Sequence, residues 1–527
     1  MVAGTELTYD TNATAMQMAS TIFGGGVTVT GASYSGDPLS SAIYVDDQSS
    51  AADVLPSQTG VILSTGYAES FTNSGGPANR LPWTTADTDG ENFNADFNAV
   101  AGRLTFDASY LDVSFTTSEN VMTMQFVFAS DEYPEFTNSI YNDVVAVWIN
   151  GSYVPLSVGD GNTSVTNVNA SNTENLYVDN VGSQYNTEMD GFTVTMSLTI
   201  PVLPSTPSSP QVNTIRIGIA DASDNRWDSN LLIGADAVQT VLVANDDAAT
   251  MTVGGAGTYS VTANDVSAAG QVEVTHINGV AVEPGDTVVL ATGQSVTLND
   301  DFTFEVAATA TPSDIVFSYA VEDAAGATDT AFFTLSTIPC FVSGTLITTP
   351  TGERRIEELR PGDLVMTQDN GPQAVRWIGK RTMPARGEFA PIRIDAGALG
   401  DHRQLMVSPQ HRVLIRDTFS ELLFGEAEVL VAAKHLVNDL TIRPMEGGFV
   451  TYIHLLFDAH EVVYSEGLAT ESFLPGPQTN ECFEEEVLLE ICEIFPELNP
   501  VTGEGYSPAA RRTLKSYEAE VLMGCAA

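Results

Sequence analysis

Cysteine and lysine are both absent from the first 339 residues of this 527-residue chain. The only cationic side chains in that part are four arginines: Arg80, Arg103, Arg216 and Arg226. The whole chain carries a net charge of −48. This charge argues against nucleic acid and anionic membranes as partners, because both attract cationic protein surface. The four cysteines, which begin at Cys340, match neither a disulfide framework nor a zinc-binding pattern.

Long apolar runs are absent as well. No run reaches the ~18 residues that a membrane-spanning helix needs, so the sequence predicts no transmembrane segment. The opening residues MVAGTELTYD contain neither a basic region nor an apolar region, and they therefore predict no secretory signal peptide. For a secreted or cell-surface protein, we would then expect an export route that does not read an N-terminal signal.

Charge is distributed unevenly along the chain. The first 339 residues hold 40 of the 68 acidic residues, whereas 16 of the 20 Lys and Arg residues lie from Cys340 onward. This change predicts at least two differently composed parts joined near residue 339. An acidic surface almost without lysine suits a secreted protein in a calcium-containing medium, where the metal neutralises carboxylates. The alternative is that the acids only confer solubility.

Residues 1–244 are predicted to form a β-sandwich, with one helix near Ala13–Phe23. Short apolar runs such as Val121–Phe128 and Val144–Ile149 recur between clusters of Asn, Gly, Asp, Ser and Pro. Four motifs follow in order: FVFASDEYPEF (126–136), NDVVAVWING (142–151), DGFTVTM (190–196) and IRIGIADASDNRWDS (215–229). Together they resemble the choice-of-anchor L domain of secreted bacterial proteins. That resemblance implies a surface or secreted location and little chemistry.

The carboxylates in these motifs are candidate metal ligands: Asp131, Glu132, Asp143, Asp221, Asp224 and Asp228. In the sequence they fall into two groups, one ending at Asp143 and one beginning at Asp221. Calcium takes about six to eight oxygen ligands, which acidic loops can supply. The alternative is that these side chains form Asx-turns and loop-end hydrogen bonds. No EF-hand pattern is present.

Residues 245–337 are predicted to form a second β module. Its runs VEVTHINGVAV and FSYAVEDAAGATDTAFFTL are similar to the cadherin-like or Ig-like modules of bacterial adhesins. A single copy of such a module is typical of a spacer or stalk. His276 within it is expected to be a surface histidine.

Residues 338–480 have a different character. They open with CFVSGTLITTPTGERRIEELRPGDLVM (340–366) and continue with LMVSPQHRVLI (405–415) and TYIHLLFDAHEVVY (451–464). These motifs resemble the Hint (Hedgehog/intein) superfamily, most closely its bacterial Hint_2 branch, which implies an all-β domain. Residues 481–527 show apolar residues at helical spacing and predict a short helical tail with Cys482 and Cys492 buried in it. The predicted fold class is thus mainly β throughout.

A cysteine that opens such a domain can attack the carbonyl carbon of the residue before it. This N–S acyl shift would convert the Pro339–Cys340 peptide into a thioester. The reaction needs a thiolate, donors for the developing oxyanion and a proton for the leaving nitrogen. By resemblance, Cys340 is the nucleophile, His411 protonates the leaving amide and Ser408 bonds the scissile region. The alternative for Cys340 is a buried structural thiol.

Two further histidines are candidates by resemblance. His454 lies near the position where inteins carry an acidic residue, and His460 matches a later intein histidine. For His402 and His435, surface or core roles are expected instead. The segment EGLATESF (466–473) has no His-Asn pair, so asparagine cyclisation, and with it full splicing, is not expected.

The predicted function is single-turnover autoprocessing of a secreted or surface protein. Cleavage at Pro339–Cys340 would release the acidic β region, or transfer it to water, a thiol or an amine. No cofactor is expected for the cleavage, although Ca²⁺ is a candidate ligand of the β region. The alternative is an adhesin or structural protein with an inactive Hint-like domain and a cell-surface or matrix partner.

Overall fold

The computed structural model describes residues 1–81, 84–137, 139, 141–158, 161–250, 256–307, 315–336, 340–385, 390–438, 440–474, 495, 506–514, 518, 519 and 522. The predicted fold class is confirmed, because the chain is mostly β. The chain divides into two compact units. The first is Met1–Asp247, Ser260–Phe304 and Ile315–Thr334; the second is Ala248–Tyr259, Glu305–Asp314 and Leu335–Ala527. Among the helices of the described residues, none has the length and apolar character that a bilayer crossing requires.

The N-terminal part of the first unit is a sandwich of two antiparallel sheets. Its strands are β1 (Thr8–Asp10), β2 (Val27–Ser35), β3 (Ser41–Val45), β4 (Thr59–Ser64), β5 (Thr105–Thr117), β6 (Val121–Ser130), β7 (Val144–Ile149), β8 (Ser152–Val154), β9 (Ser157–Val158), β10 (Gly161–Asn162), β11 (Tyr177–Asp179), β12 (Gly191–Thr193), β13 (Met196–Pro201), β14 (Asn213–Ala222), β15 (Ser229–Gln239) and β16 (Leu242–Val243). One sheet has the order β1-β3-β4-β15-β6-β12-β11, with β13 also on β6, and the other has the order β2-β5-β14-β7-β8. Strands β9 and β10 pair with each other in a separate two-stranded sheet, and β16 belongs to neither sheet of the sandwich.

Apolar side chains from both sheets form one buried core. Leu111 and Ile217 of one sheet and Phe126 of the other belong to the same hydrophobic cluster, and each is at most 1% exposed. Burying one such side chain contributes roughly 1.5–3 kcal/mol to folding. Helix α1 (Ala15–Ile22) joins this cluster through Met18 and Ile22, so the predicted early helix is present. A second short helix, α2, spans Ala95–Ala101.

The predicted second module supplies the next strands. They are β17 (Asp247–Thr250), β18 (Ala256–Ser260), β19 (Val266–Ser267), β20 (Val272–Ile277), β21 (Val280–Ala281), β22 (Thr287–Val289), β23 (Ser295–Leu298), β24 (Thr303–Ala307), β25 (Ile315–Asp323) and β26 (Thr328–Ser336). Strand β20 pairs with both β21 and β25, and β22 pairs with β23.

Part of this module packs on the sandwich within the first unit. Val316 and Phe332 belong to the sandwich's own hydrophobic cluster. The buried carboxylate of Asp329 accepts hydrogen bonds from Thr123 Oγ1 (2.9 Å) and from the backbone N–H of Ala244 (2.8 Å). These strands are therefore held by core contacts and not only by a linker. The proposed boundaries at residues 244 and 337 stay predictions.

The second unit contains the remaining strands. They are β27 (Phe341–Val342), β28 (Leu346–Thr349), β29 (Gly352–Arg355), β30 (Leu364–Thr367), β31 (Gly371–Ala374), β32 (Trp377–Pro384), β33 (Ile392–Ile394), β34 (Leu405–Val407), β35 (Arg412–Arg416), β36 (Glu428–Ala432), β37 (Ile442–Pro444), β38 (Phe449–Leu456), β39 (Val462–Ser465) and β40 (Leu468–Glu471). One sheet runs β32-β38-β27-β34-β33-β37 and the other β29-β28-β39-β40-β35-β36. Helix α3 spans Thr418–Phe424.

A tight turn between β39 and β40 sets the register of the second sheet's centre. Ser465 is opposite Leu468, so only Glu466 and Gly467 lie in the turn, with φ angles of 50° and 87°. Positive φ at both positions is typical of a type I′ turn, which glycine adopts without steric cost. The turn thereby fixes where Glu471, at the end of β40, lies.

Most of the predicted helical tail, including Cys482, Cys492 and Cys525, lies outside the described residues. Within the described part, residues 518, 519 and 522 are helical. Leu514, Ala519 and Leu522 pack in the core of the second unit. The backbone of Leu430 also bonds to Arg512 and Leu514, so this segment is an integral part of the unit.

Candidate active site

Sheet register brings Cys340 next to two polar side chains that are distant in the sequence. Cys340 directly precedes β27, and β27 lies between β34 and β38. Phe341 is paired with Val407 on one side and with Ile453 on the other. Because both neighbours are antiparallel to β27, the next residue on each of them, Ser408 and His454, lies beside Cys340.

Ser408 bonds both ends of the Cys340 backbone. Its Oγ accepts a hydrogen bond from the N–H of Cys340 at 2.8 Å, and its own N–H donates to the Cys340 carbonyl at 2.9 Å. The Cys340 nitrogen belongs to the peptide bond that the sequence identifies as scissile; Pro339, on its other side, lies outside the described residues. The predicted contact between Ser408 and the scissile region is therefore present at the nitrogen.

His454 contacts the thiol. Its Nε2 lies 3.3 Å from Cys340 Sγ, and the two residues are 6% and 7% exposed. The ring of Phe473 lies edge-on to the imidazole, with centroids 5.7 Å apart. A thiol paired with an imidazole in a protected site is the arrangement that generates a nucleophilic thiolate.

His411 is enclosed next to this pair. Its ring centroid lies 4.3 Å from that of Phe341, and its backbone N–H donates to Ser408. Neither ring nitrogen has a hydrogen-bond partner among the described residues. Burial is the main reason that the pKa of His411 falls to about 4. The imidazole is thus neutral at pH 7, and both of its nitrogens are available for a reacting group.

His460 lies on the other side of a buried carboxylate that sequence reasoning missed. The carboxylate of Glu471 is fully buried, accepts from the backbone N–H and Nη1 of Arg412 at 2.9 and 3.0 Å, and lies 3.5 Å from His460 Nε2. His460 Nδ1 accepts from the N–H of Ala510, and its Nε2 bonds the Ser472 carbonyl. His460 therefore contacts Glu471 and does not bond Cys340. A single glutamate at a strand end has no spacing pattern by which it could be found.

His402 and His435 are the two remaining histidines of this unit. His402 is bonded within its own turn, where Nε2 accepts from the N–H of Leu399 and Nδ1 bonds the Arg403 carbonyl. His435 lies in the short 3₁₀ helix Ala433–Leu436.

The candidate metal ligands lie in the sandwich, and the structure joins their two sequence groups. Strands β5, β14 and β7 are adjacent and antiparallel, so the start of β5, the end of β14 and the start of β7 meet at one edge of the sheet. Asp107, Asp221 and Asp143 occupy those three positions. Asp143 Oδ1 accepts from the N–H of Ala222, and Glu132 Oε2 accepts from the N–H of Asp143. Asp107 was not among the predicted ligands.

Several of these carboxylate oxygens are buried without a partner. Both oxygens of Asp107 and of Asp221, and Oδ2 of Asp143, meet no hydrogen-bond donor among the described residues. Burial raises the pKa of Asp107 to about 6. It also raises the pKa values of Glu132, Asp143 and Asp221, with further increases from neighbouring carboxylates. In this environment the protonated forms are favoured unless a cation is bound.

The remaining predicted ligands are held differently. Asp131 accepts from the N–H and Oγ1 of Thr84, and burial raises its pKa. Asp228 accepts from Ala86, and burial raises its pKa to about 7. Asp224 is half-buried, and burial raises its pKa as well. Across the part of the chain that the structure describes, no three His, Cys, Asp or Glu side chains are arranged so that they could hold a metal ion.

Comparison with known families places two domains on the chain. Residues 339–477 match the family model of the Hint domain, and residues 7–239 match that of the choice-of-anchor L domain. Both predicted resemblances are therefore confirmed, whereas the cadherin- or Ig-like resemblance of 245–337 stays a prediction. No curated protein matches the chain.

Solved structures of intein-like proteins are similar to about a quarter of this chain. A bacterial intein-like domain from Clostridium thermocellum is 15% identical and the match covers 25% of this chain and 97% of that one, with a TM-score of 0.19. The gp41-1 intein is 16% identical over 25% and 97% of the two chains, with a TM-score of 0.17. TM-scores this low support no conclusion about this protein. The matches to the two family models do support one: the protein carries a choice-of-anchor L domain at residues 7–239 and a Hint domain at residues 339–477.

Proposed function

We propose that this protein cleaves itself at the Pro339–Cys340 bond through an N–S acyl shift. The observation that carries the proposal is the pairing of Cys340 Sγ with His454 Nε2 at 3.3 Å, while Ser408 holds the N–H of the same residue. The nucleophile, a base for it and a partner of the leaving nitrogen are thus held in one protected site.

In the first step His454 takes the thiol proton, and the thiolate attacks the carbonyl carbon of residue 339. A carbon–sulfur bond forms and the carbonyl oxygen becomes an oxyanion. The attack is intramolecular, so proximity can lower the barrier by about 7–11 kcal/mol where the alignment is good. His454 is the base in this step, because it is the imidazole in contact with the sulfur.

In the second step the oxyanion collapses and the carbon–nitrogen bond breaks. The electron pair goes to the Cys340 nitrogen, which needs a proton to leave as an amine. His411 supplies this proton in its imidazolium form, which is the minor form at pH 7. Its backbone N–H donates to Ser408, the partner of the leaving nitrogen, and its ring nitrogens are unpartnered among the described residues. Ser408 Oγ holds the nitrogen during the transfer. The product is a thioester that joins residue 339 to the Cys340 side chain.

The thioester is then open to water, a thiol or an amine. Attack on its carbonyl carbon releases residues 1–339, or transfers them to the acceptor, and frees the Cys340 thiol. The choice-of-anchor L domain suggests a cell-surface or extracellular protein. We therefore infer that cleavage would detach the acidic β region from the Hint domain outside the cell.

The test is to incubate the purified full-length protein at neutral pH with and without a thiol such as dithiothreitol. We expect one fragment of residues 1–339 and a second that begins at Cys340, and we expect thiol to increase their yield. Intact mass spectrometry identifies both fragments. If folded wild-type protein keeps its full mass for days in thiol, the Hint domain is inactive in cis and the adhesin alternative replaces this proposal.

Calcium binding by the first unit is a separate proposal, supported by the unpartnered oxygens of Asp143 and Asp221. A cation bound there would need to draw on backbone oxygens as well as carboxylates, because the described side chains alone form no metal-binding group. Bound calcium would raise stability by about 2.7 kcal/mol at a concentration of 100 Kd.

Without a cation, the stability of the first unit is expected to fall as the pH rises. Asp228 has a pKa of about 7 in the folded chain, well above the value of about 4 that is usual for an aspartate, so the folded state binds its proton more tightly than the unfolded state. The stabilisation is complete below about pH 4 and is lost as the pH rises to about 7, a change of roughly 4 kcal/mol for this group. Calorimetry of the full chain between pH 4 and 8 in a chelator measures it.

Asp228→Asn should reduce this pH dependence by the share that Asp228 contributes, because the neutral amide has no proton to lose, whereas the exposed Asp89→Asn should leave it unchanged. At the upper end of the pH range, millimolar calcium should raise the melting temperature of the wild type. Equal melting temperatures in calcium and in chelator would count against the calcium proposal while leaving the pH effect in place.

A further inference from the structure

Glu471 is a carboxylate that bonds the residue next to His411. Its Oε1 accepts the backbone N–H of Arg412, the residue that follows His411, at 2.9 Å. Its Oε2 accepts Nη1 of the same arginine at 3.0 Å. Strand β40, which carries Glu471, pairs with β35, which begins at Arg412. The carboxylate therefore holds the peptide that joins His411 to β35.

Glu471 is fully buried and yet ionised. Burial by itself would raise its pKa, but the charge of Arg412, the hydrogen bond with His460 and the charge of His411 outweigh it and lower the pKa to about 2. A buried carboxylate that is paired in this way keeps its negative charge throughout the working pH range.

The charges around His411 have opposite effects on its proton affinity. Burial is the largest influence and lowers its pKa; Glu471 raises it, and His454, Arg412 and His460 lower it. Glu471 is thus the one group among these that favours the imidazolium. If this carboxylate were neutral, the other charged neighbours would leave a still smaller fraction of His411 protonated at pH 7.

We propose that Glu471 is a positioning residue for the autoprocessing reaction, which holds the His411–Arg412 peptide in place and supplies the negative charge that favours the protonated form of His411. The inference rests on the proposed function. In a serine protease triad the carboxylate bonds the imidazole directly; here it bonds the neighbouring peptide and acts on the ring through space. No bond to Glu471 is made or broken in the reaction.

The experiment measures the cleavage rate of full-length protein against pH for the wild type and Glu471→Gln. Glutamine keeps the shape but removes the charge, so the pKa of His411 should fall. On the pH–rate profile, the limb on which the rate declines with rising pH should move to lower pH. A shift of one pH unit means about a tenfold slower reaction at pH 7. Glu471→Asp keeps the charge and should keep the position of the limb, even where its rate is lower.

Two further variants separate charge from folding. Arg412→Lys keeps the cation that holds Glu471 ionised and should leave the same limb at its wild-type position. Glu461→Gln neutralises another buried glutamate of the same unit, one that bonds the Asn370 side chain, and should leave the profile unchanged. A merely structural role for Glu471 would lower the folded fraction at every pH and move no limb; that result overturns the inference.

A second measurement does not depend on cleavage. In a Cys340→Ala background, the pKa of His411 is read from the imidazole ¹H NMR resonances, with His411→Ala for assignment. It should be lower in the Glu471→Gln protein than in the parent. An unchanged pKa refutes the role of Glu471, whereas a wild-type chain that never cleaves refutes the proposed function alone.

Discussion

Replacing Cys340 with alanine is expected to abolish cleavage of the chain. Alanine has no sulfur, so no carbon–sulfur bond can form and the 339–340 peptide has no route to a thioester. The 527-residue chain should then remain at its full mass under conditions that cleave the wild type. Intact mass spectrometry after incubation with thiol checks this.

Two other substitutions make this result specific. Cys340→Ser should cleave far more slowly than the wild type, because a hydroxyl ionises much less than a thiol at neutral pH. Cys482→Ala, at a cysteine outside the described residues, should cleave at the wild-type rate. Fragments that still appear from Cys340→Ala would mean that another nucleophile or a contaminating protease cuts the chain.

Replacing His411 with alanine is expected to slow cleavage by about 10²–10⁴-fold, the usual range for losing a general acid. The leaving nitrogen of Cys340 then has no imidazole to protonate it, and the tetrahedral intermediate returns to the peptide. Because the pKa of His411 is about 4 in the folded protein, its protonated fraction rises as the pH falls toward that value. The wild-type collapse step should therefore speed up on acidification, and the variant should lose that response.

Loss of a buried ring can also destabilise the domain, so a matched control is needed. His402→Ala removes another buried histidine of the same unit, one whose nitrogens are bonded within its own turn. We expect it to lower the melting temperature without removing the pH response of cleavage. Equal loss of cleavage in both variants, at equal loss of folded protein, would assign the His411 effect to folding and not to proton transfer.

Local sequence patterns predicted some strands well and others poorly. The apolar run Val144–Ile149 is β7, the run Val121–Phe128 lies within β6, and the predicted helix near Ala13–Phe23 contains α1. By contrast, the motif DGFTVTM (190–196) is one continuous run in the sequence but is divided between β12 and β13. Alternation of apolar and polar residues indicates where a strand is possible, but pairing with β6 decides where each of these strands begins and ends.

The candidate site shows the same limit. The motifs around Cys340, Ser408 and His411 could be recognised because their residues have characteristic spacing. Glu471 and Asp107 could not, since each is a single carboxylate on an ordinary strand. Their importance follows from what surrounds them. Glu471 forms an ion pair with Arg412, and the carboxylate oxygens of Asp107 have no hydrogen-bond partner among the described residues.

The sequence by itself determined the mainly β class, the change in charge near residue 339 and the identity of the candidate nucleophile. These depend on composition and short motifs, which need no partner elsewhere in the chain. Only the tertiary structure decided which polar groups meet. Ser408 and His454 are 68 and 114 residues from Cys340, and they reach it because strand register, set by the packing of whole sheets, aligns residues across such separations.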